Sequence, residues 1–266
     1  MMIQGYLIPF NPPAAGGVNC GSNTGNLFSE TFDQAGYDEV GNWTEFDPDE
    51  CTTACTWDDD DTTNPPLTGD CFDTKQMEFI HPNDPRIGLQ GNWVGDVNDD
   101  VWFRIYVASN FFQSVPDNRV SHFLMADSPD EIGVATTCST GWDDPNAMVL
   151  FREKSGGTPA HLELHFQDGG GMTKAENSAE VSSDVMELFR VELHVRSAGT
   201  DLVGWKVHNM TTDVEIANAE FTTDVVLHAD GTEGITIGAC NGSASHNATN
   251  TYFDYVDVSD EGYIGE

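Results

Sequence analysis

Two runs of this sequence put chemistry-bearing side chains at every second position. In AHLELHF (160–166), His161, Glu163 and His165 alternate with Leu162, Leu164 and Phe166. In LFRVELHVR (188–196), Arg190, Glu192, His194 and Arg196 alternate with Phe189, Val191, Leu193 and Val195. Side chains two apart on a strand share a face, so each run sets a polar row against an apolar one. If the two strands are neighbours, His161, His165, Glu192, His194 and Arg196 line one groove. Imidazole, carboxylate and guanidinium groups in a groove can bind ligand hydroxyls or abstract a proton. The alternative is a solvated sheet face that binds nothing.

A second concentration lies in CTTACTWDDDDTTNPPLTGDC, from Cys51 to Cys71. No C-x-x-C occurs there, and no histidine pair stands beside the cysteines, so zinc is a poor fit. Asp58 to Asp61 are consecutive and cannot all turn to one ion without an unusual bend. The stretch reads as an acidic surface loop in which two of Cys51, Cys55 and Cys71 pair. DVNDDVW (96–102) starts like a calcium loop but lacks Gly at the sixth position. No G-x-S-x-G nucleophile elbow is present. DGGGM (168–172) has no lysine for a phosphate and reads as a turn.

Charge narrows the setting. The chain of 266 residues holds 45 acidic and 10 basic side chains, a formal charge of −35 spread along its length. Such a surface repels nucleic acid and anionic membrane, which are bound mainly through Lys and Arg. It also repels itself, and salt screens that repulsion, so a marine or halophilic setting is expected, with an ordinary acidic secreted protein as the alternative. No apolar run approaches the ~20 residues of a membrane span. The opening MMIQGYLIPFNPPAAGGVNC has no basic region ahead of its apolar patch and is not expected to be a signal peptide. Yet cysteines at 20, 51, 55, 71, 138 and 240 suit an oxidising environment. Three readings reconcile the two: a leader already removed, release by lysis in a virus particle, or a cytosolic protein with reduced cysteines.

The elements that must hold these residues are short strands. Residues 1–27, rich in Pro, Gly and Asn, read as an extended arm, held by a neighbouring subunit or folded back on its own domain. From residue 28 onward, VWFRIYV (101–107), the two runs above, ITIGAC (235–240) and TYFDYVDVS (251–259) show period-two alternation or strand composition. That pattern predicts antiparallel strands with one buried face. Residues 28–266 are read as one domain, with 50–75 as its acidic, cysteine-containing loop.

Three runs carry a resemblance. LFSETFDQAGYDEVGNWTEF resembles the opening strand of concanavalin A-like lectin/glucanase domains, a superfamily that includes laminin G-like modules. ELFRVELHVR resembles their central strand, and ITIGACNGSASHNATNTYFDYVDVSDEGYIG their closing pair. The resemblance implies an all-β, two-sheet antiparallel jelly-roll sandwich. It does not settle function, because the superfamily includes lectins, hydrolases, lyases and virion proteins. Its retaining glucanases carry E-x-D-x-x-E, which is absent here, so no hydrolase is expected. Its lyases use an Arg, a Gln or Asn, a His and a Tyr on the concave sheet. Many relatives tie first and last strands with a calcium ion, which here would sit on Glu30 and Asp254 as a structural Ca²⁺ site. The first expectation is therefore a non-enzymatic virion surface protein, a capsid decoration or tail module. Its partners would be other particle subunits or its own copies through residues 1–27, and glycans through its loops. The second is a secreted carbohydrate-binding module or a polysaccharide lyase-like enzyme.

Overall fold

The computed structural model describes residues 27–30, 43–46, 57–58, 77–81, 86–92, 99–109, 120–127, 145–152, 159–181, 187–241 and 249–264. They form fifteen strands: β1 (Phe28–Glu30), β2 (Trp43–Phe46), β3 (Trp57–Asp58), β4 (Met77–His81), β5 (Arg86–Asn92), β6 (Asp100–Ser109), β7 (Val120–Asp127), β8 (Ala147–Arg152), β9 (His161–Gln167), β10 (Met172–Asn177), β11 (Glu187–Arg196), β12 (Leu202–Asn209), β13 (Val214–Phe221), β14 (Gly234–Asn241) and β15 (Thr249–Ser259). Among the described residues no helix is long and apolar enough to cross a membrane.

The strands make two antiparallel sheets. One runs β13-β12-β11-β6-β15-β4-β3, with β1 also paired to β15; the other runs β10-β9-β8-β7-β14-β5-β2. This is the all-β jelly-roll sandwich expected from the alternating runs. Val101, Phe103, Ile105 and Val107 of β6 and Phe189, Val191, Leu193 and Val195 of β11 meet Leu162, Leu164 and Phe166 of β9 in one core. Each is buried, and burying one such large apolar side chain contributes about 1.5–3 kcal/mol. The sandwich is closed at one edge by hydrogen bonds. Trp205 Nε1 on β12 donates to Glu176 Oε2 on β10 over 2.8 Å, and the Ala179 amide donates to the Ile216 carbonyl over 2.8 Å.

Two turns decide local geometry. DGGGM forms the β9–β10 turn, as expected, with Gly169 and Gly171 at φ of 82° and 132°. Those angles suit glycine alone among common residues. In β15 the pairing to β6 slips between Asp254 and Asp257, and Tyr255 sits there at φ 48°. Such a bulge re-aims neighbouring side chains.

One boundary departs from expectation. Trp57 and Asp58, inside the stretch read wholly as loop, form the edge strand β3 against Phe79 and Glu78 of β4. A two-residue ladder carries no periodicity, so alternation could not signal it. Leu27, the last residue of the expected arm, donates its amide to the Val258 carbonyl of β15 over 3.1 Å, while residues 1–26 and Cys51, Cys55 and Cys71 lie outside the described residues.

Candidate functional site

Strand order separates the five side chains grouped by the sequence. β9 lies in the seven-stranded sheet and β11 in the eight-stranded one, so the strands are not neighbours. His161 and His165 stand on the outer face of one sheet; Glu192, His194 and Arg196 stand on the outer face of the other. The single groove therefore does not form, because two packed sheets set their outer faces on opposite sides of the core. Local alternation reports the face of a strand and says nothing of which strand lies beside it.

On β9 the histidines hold a carboxylate. His161 Nε2 lies 3.1 Å from Glu163 Oε1 and His165 Nε2 lies 3.0 Å from Glu163 Oε2. Lys174 Nζ on β10 donates to Glu163 Oε1 over 3.3 Å. His161 Nδ1 lies 2.8 Å from the Pro159 carbonyl. These bonds lock the rings against their own sheet.

The eight-stranded sheet carries a denser constellation, aligned across strands by register. One row reads Asn218, Lys206, Glu192, Arg104, Asp257 and Ser29 across β13, β12, β11, β6, β15 and β1. The next reads Glu215, His208, Arg190, Tyr106 and Asp254, and another holds Glu220, Gly204, His194, Trp102 and Ser259. Arg104, Arg190, Glu192, Tyr106, Lys206 and His194 are all buried. Three of the chain's ten basic side chains, Arg104, Arg190 and Lys206, are thus buried on one face of a molecule of charge −35.

Charges that leave water must be paired, and these are. Arg104 Nη2 donates to Asp257 Oδ2, whose other oxygen accepts from the Ser29 hydroxyl over 2.7 Å. Arg190 Nε lies 2.8 Å from Glu192 Oε1, and Lys206 Nζ lies 3.6 Å from Glu215 Oε2. Glu192 Oε1 also accepts the Tyr263 hydroxyl over 3.0 Å. Among the described residues Glu192 Oε2 is buried without a hydrogen-bond partner, and the Tyr106 phenol lies beside Arg190. Burial pushes the Glu192 carboxyl up, against the pull of Arg190, Lys206, Tyr263 and Arg104. Burial likewise pushes the Tyr106 phenol up, against Arg104 and Arg190. At the rim His194 stacks on Trp102, with ring centroids 3.7 Å apart, and its Nε2 lies 2.7 Å from Asp100 Oδ1. Burial lowers His194 despite Asp100, which favours a neutral ring. Arg196 sits at the strand end, where its Nε donates to the Thr200 carbonyl over 3.4 Å.

Sequence reasoning placed Glu192 and His194 in this constellation and missed Arg104, Tyr106, Trp102, Lys206 and Tyr263. Trp102, Arg104 and Tyr106 occupy the outward positions of VWFRIYV, so the alternation that marked its core face also marked them. Tyr263 lies beyond any strand, in the GYIG that ends the closing run, where no alternation marks a face.

Of Glu30 and Asp254, the positions that the resemblance offers for calcium, Asp254 is the one whose side chain is described. Asp254 is fully buried and its Oδ1 accepts the Tyr255 amide over 2.8 Å. At Ser29–Asp257 the register places a serine, and Glu30 pairs with Val256 at the next position. Arg104 and Arg190 share the outer face with Asp254, a poor surrounding for a cation that wants six to eight oxygen ligands. Among the described residues no group of three or more His, Cys, Asp or Glu could hold a metal ion.

A separate open hollow of about 410 Å³ lies between the β9–β10 turn and the loop that carries Val226 and His228. Asn146 pins that loop: its Oδ1 accepts the His228 amide over 2.9 Å and its Nδ2 donates to the Gly231 carbonyl over 2.8 Å. Among the described residues the hollow is lined by Gln167, Gly169, Gly170, Gly171, Leu227 and His228 beside Val226.

No family model matches the chain, and no curated protein matches it in sequence. Solved structures do resemble it. The potassium-bound form of the Emp46p carbohydrate recognition domain superposes with a TM-score of 0.54 at 10% identity, covering 92% of this chain and 99% of that one. The metal-free form of the same domain gives 0.52 at 12% identity, covering 95% and 100%. The PL-14 alginate lyase of the marine Aplysia kurodai gives 0.49 at 11% identity, covering 70% and 82%. At this identity the likeness concerns fold: the chain has the concanavalin A-like architecture that its opening, central and closing runs led us to expect.

Proposed function

We propose that the protein binds carbohydrate on the outer face of its eight-stranded sheet, that the ligand is hydroxyl-rich and uncharged, and that binding is not followed by bond cleavage. The observation that carries this is the cross-strand constellation around Glu192. A carboxylate with one buried oxygen unmatched among the described residues, a phenol beside it and an indole at the rim offer acceptor, donor and apolar platform together. Sugars present hydroxyls and apolar ring faces to be met by such groups. The fold supports the reading, since a carbohydrate recognition domain shares it.

The same geometry speaks against a lyase acting on acidic polysaccharide. Such a reaction needs a cation or amide to neutralise the uronate carboxylate. Arg104, Arg190 and Lys206 are each already engaged by a carboxylate, at Asp257, Glu192 and Glu215. A uronate would have to displace one of them on a strongly acidic protein. The particle role expected from the sequence draws on the acidity, on the cysteines, on the lack of a recognisable signal peptide and on the arm, of which residues 1–26 and Cys51, Cys55 and Cys71 lie outside the described residues. A glycan-binding face is compatible with display on a particle.

A glycan array covering neutral and acidic saccharides, followed by calorimetry, tests the proposal. Binding should favour neutral glycans and weaken at least ~10-fold in Trp102→Ala, the loss of ~1.4 kcal/mol expected of a stacking contact. Absence of binding to every glycan class would sink it. Accumulation of unsaturated products from an acidic polysaccharide would overturn the non-catalytic part.

A further inference from the structure

We infer that the segment Asp260–Ile264 is a self-bound strap, and that the Tyr263 side chain occupies a ligand subsite formed by Glu192, Arg190 and Trp102. This rests on the proposed glycan face and concerns its regulation.

After β15 ends, the Glu261 amide donates to the Ser259 hydroxyl over 3.1 Å and the chain turns. Gly262 follows at φ 114°, and nothing lies within 4 Å of where its Cβ would be. The turn carries Tyr263 back across β6 to β11. There its hydroxyl donates to Glu192 Oε1 over 3.0 Å, and its ring meets the Trp102 ring edge-on with centroids 6.0 Å apart. Tyr263 itself stays 37% exposed, whereas Glu192 beneath it is 5% exposed. A hydroxyl on a buried carboxylate, with an apolar ring set beside an indole, is the pair of contacts a pyranose would make. Tyr263 supplies both from within the chain.

The coverage by the strap is shallow. Tyr263 is one of the few large apolar side chains left exposed among the described residues, with Val214 and Val226. A residue at positive φ such as Gly262 gives the turn freedom that other residues lack. A segment at the surface can open locally at a cost in free energy below that of unfolding the whole domain. A ligand that needs the open state binds more weakly by the fraction of time the site is open.

The test uses the full chain and the neutral oligosaccharide that binds best on the array. Tyr263→Phe removes the hydroxyl and keeps the ring; Tyr263→Ala removes both. Calorimetry should give tighter binding in both, by roughly 5- to 50-fold in Tyr263→Ala, within the usual span of coupled sites. Hydrogen exchange at 260–264 in the wild type should speed up when the oligosaccharide is added. Equal affinity in wild type and Tyr263→Ala, or exchange slowed by the sugar, overturns the strap while leaving the glycan face standing. If neither wild type nor either variant binds any glycan, the glycan face falls and the strap falls with it.

Discussion

Burial acts on Glu192 against three cations at once. Arg190, Lys206 and Arg104 all favour its charged form, and still its carboxyl is raised. Unfolded, the group titrates near about 4.3, so between that value and the higher folded one the native state holds a proton that the unfolded state has lost. Stability contributed by this group is therefore present at acid pH and falls as pH rises through the window. Glu192→Gln should remove that slope. The difference in Tm, variant minus wild type, should grow as pH rises from about 4 to about 7. A difference flat across that range would mean that burial does not dominate at Glu192. His194 has the opposite sense: it is kept neutral by burial, and what it gives the fold is lost as pH drops below the ordinary histidine range, about 6.5.

At the scale of strands, Arg104 is the tie. It stands on β6 and binds Asp257 on β15, which in turn takes the Ser29 hydroxyl from β1. Removing one partner of a buried pair strands the other charge and typically costs about 3–5 kcal/mol, whereas replacing both by apolar groups costs far less. Arg104→Met should fall in that range in denaturant titrations, and Arg104→Met/Asp257→Leu should recover most of the loss. Equal losses in the single and double variants would show that the guanidinium is not paired in solution. These strands were legible because VWFRIYV, LFRVELHVR and TYFDYVDVS alternate or are rich in strand formers. Their observed spans, β6, β11 and β15, agree with the runs to within two residues. The burial of their polar rows was not legible. Period-two alternation separates two faces, and it implies that the polar one meets water; here Arg190 and Glu192 are as enclosed as many core residues. The grouping of His161 with His194 failed for a related reason, since which strand lies beside which depends on long connections and not on either run.

The whole molecule carries 35 more negative than positive charges. Self-repulsion of that size destabilises a compact state, and ions screen it to about 3 Å at 1 M salt. Thermal stability should rise steadily with sodium or potassium chloride from low concentration towards 1 M, most steeply at the low end. A Tm indifferent to both salts would remove the argument for a saline setting. Composition alone supplied that expectation, and the resemblance of three separated runs supplied the architecture. Position in the sheet adds a consequence for assembly. β15 lies inside the eight-stranded sheet, flanked by β6 on one side and by β4 and β1 on the other. The Ser29–Asp257 bond joins residues 228 positions apart. Closing so long a loop precedes any reward from it, which makes folding slow. Until β15 inserts, the edges of β6 and β4 stand open to other chains, and intermediates of that kind aggregate. A growing chain would leave those edges bare through most of its synthesis, so its yield in a foreign host should depend on how quickly the ribosome reaches residue 259.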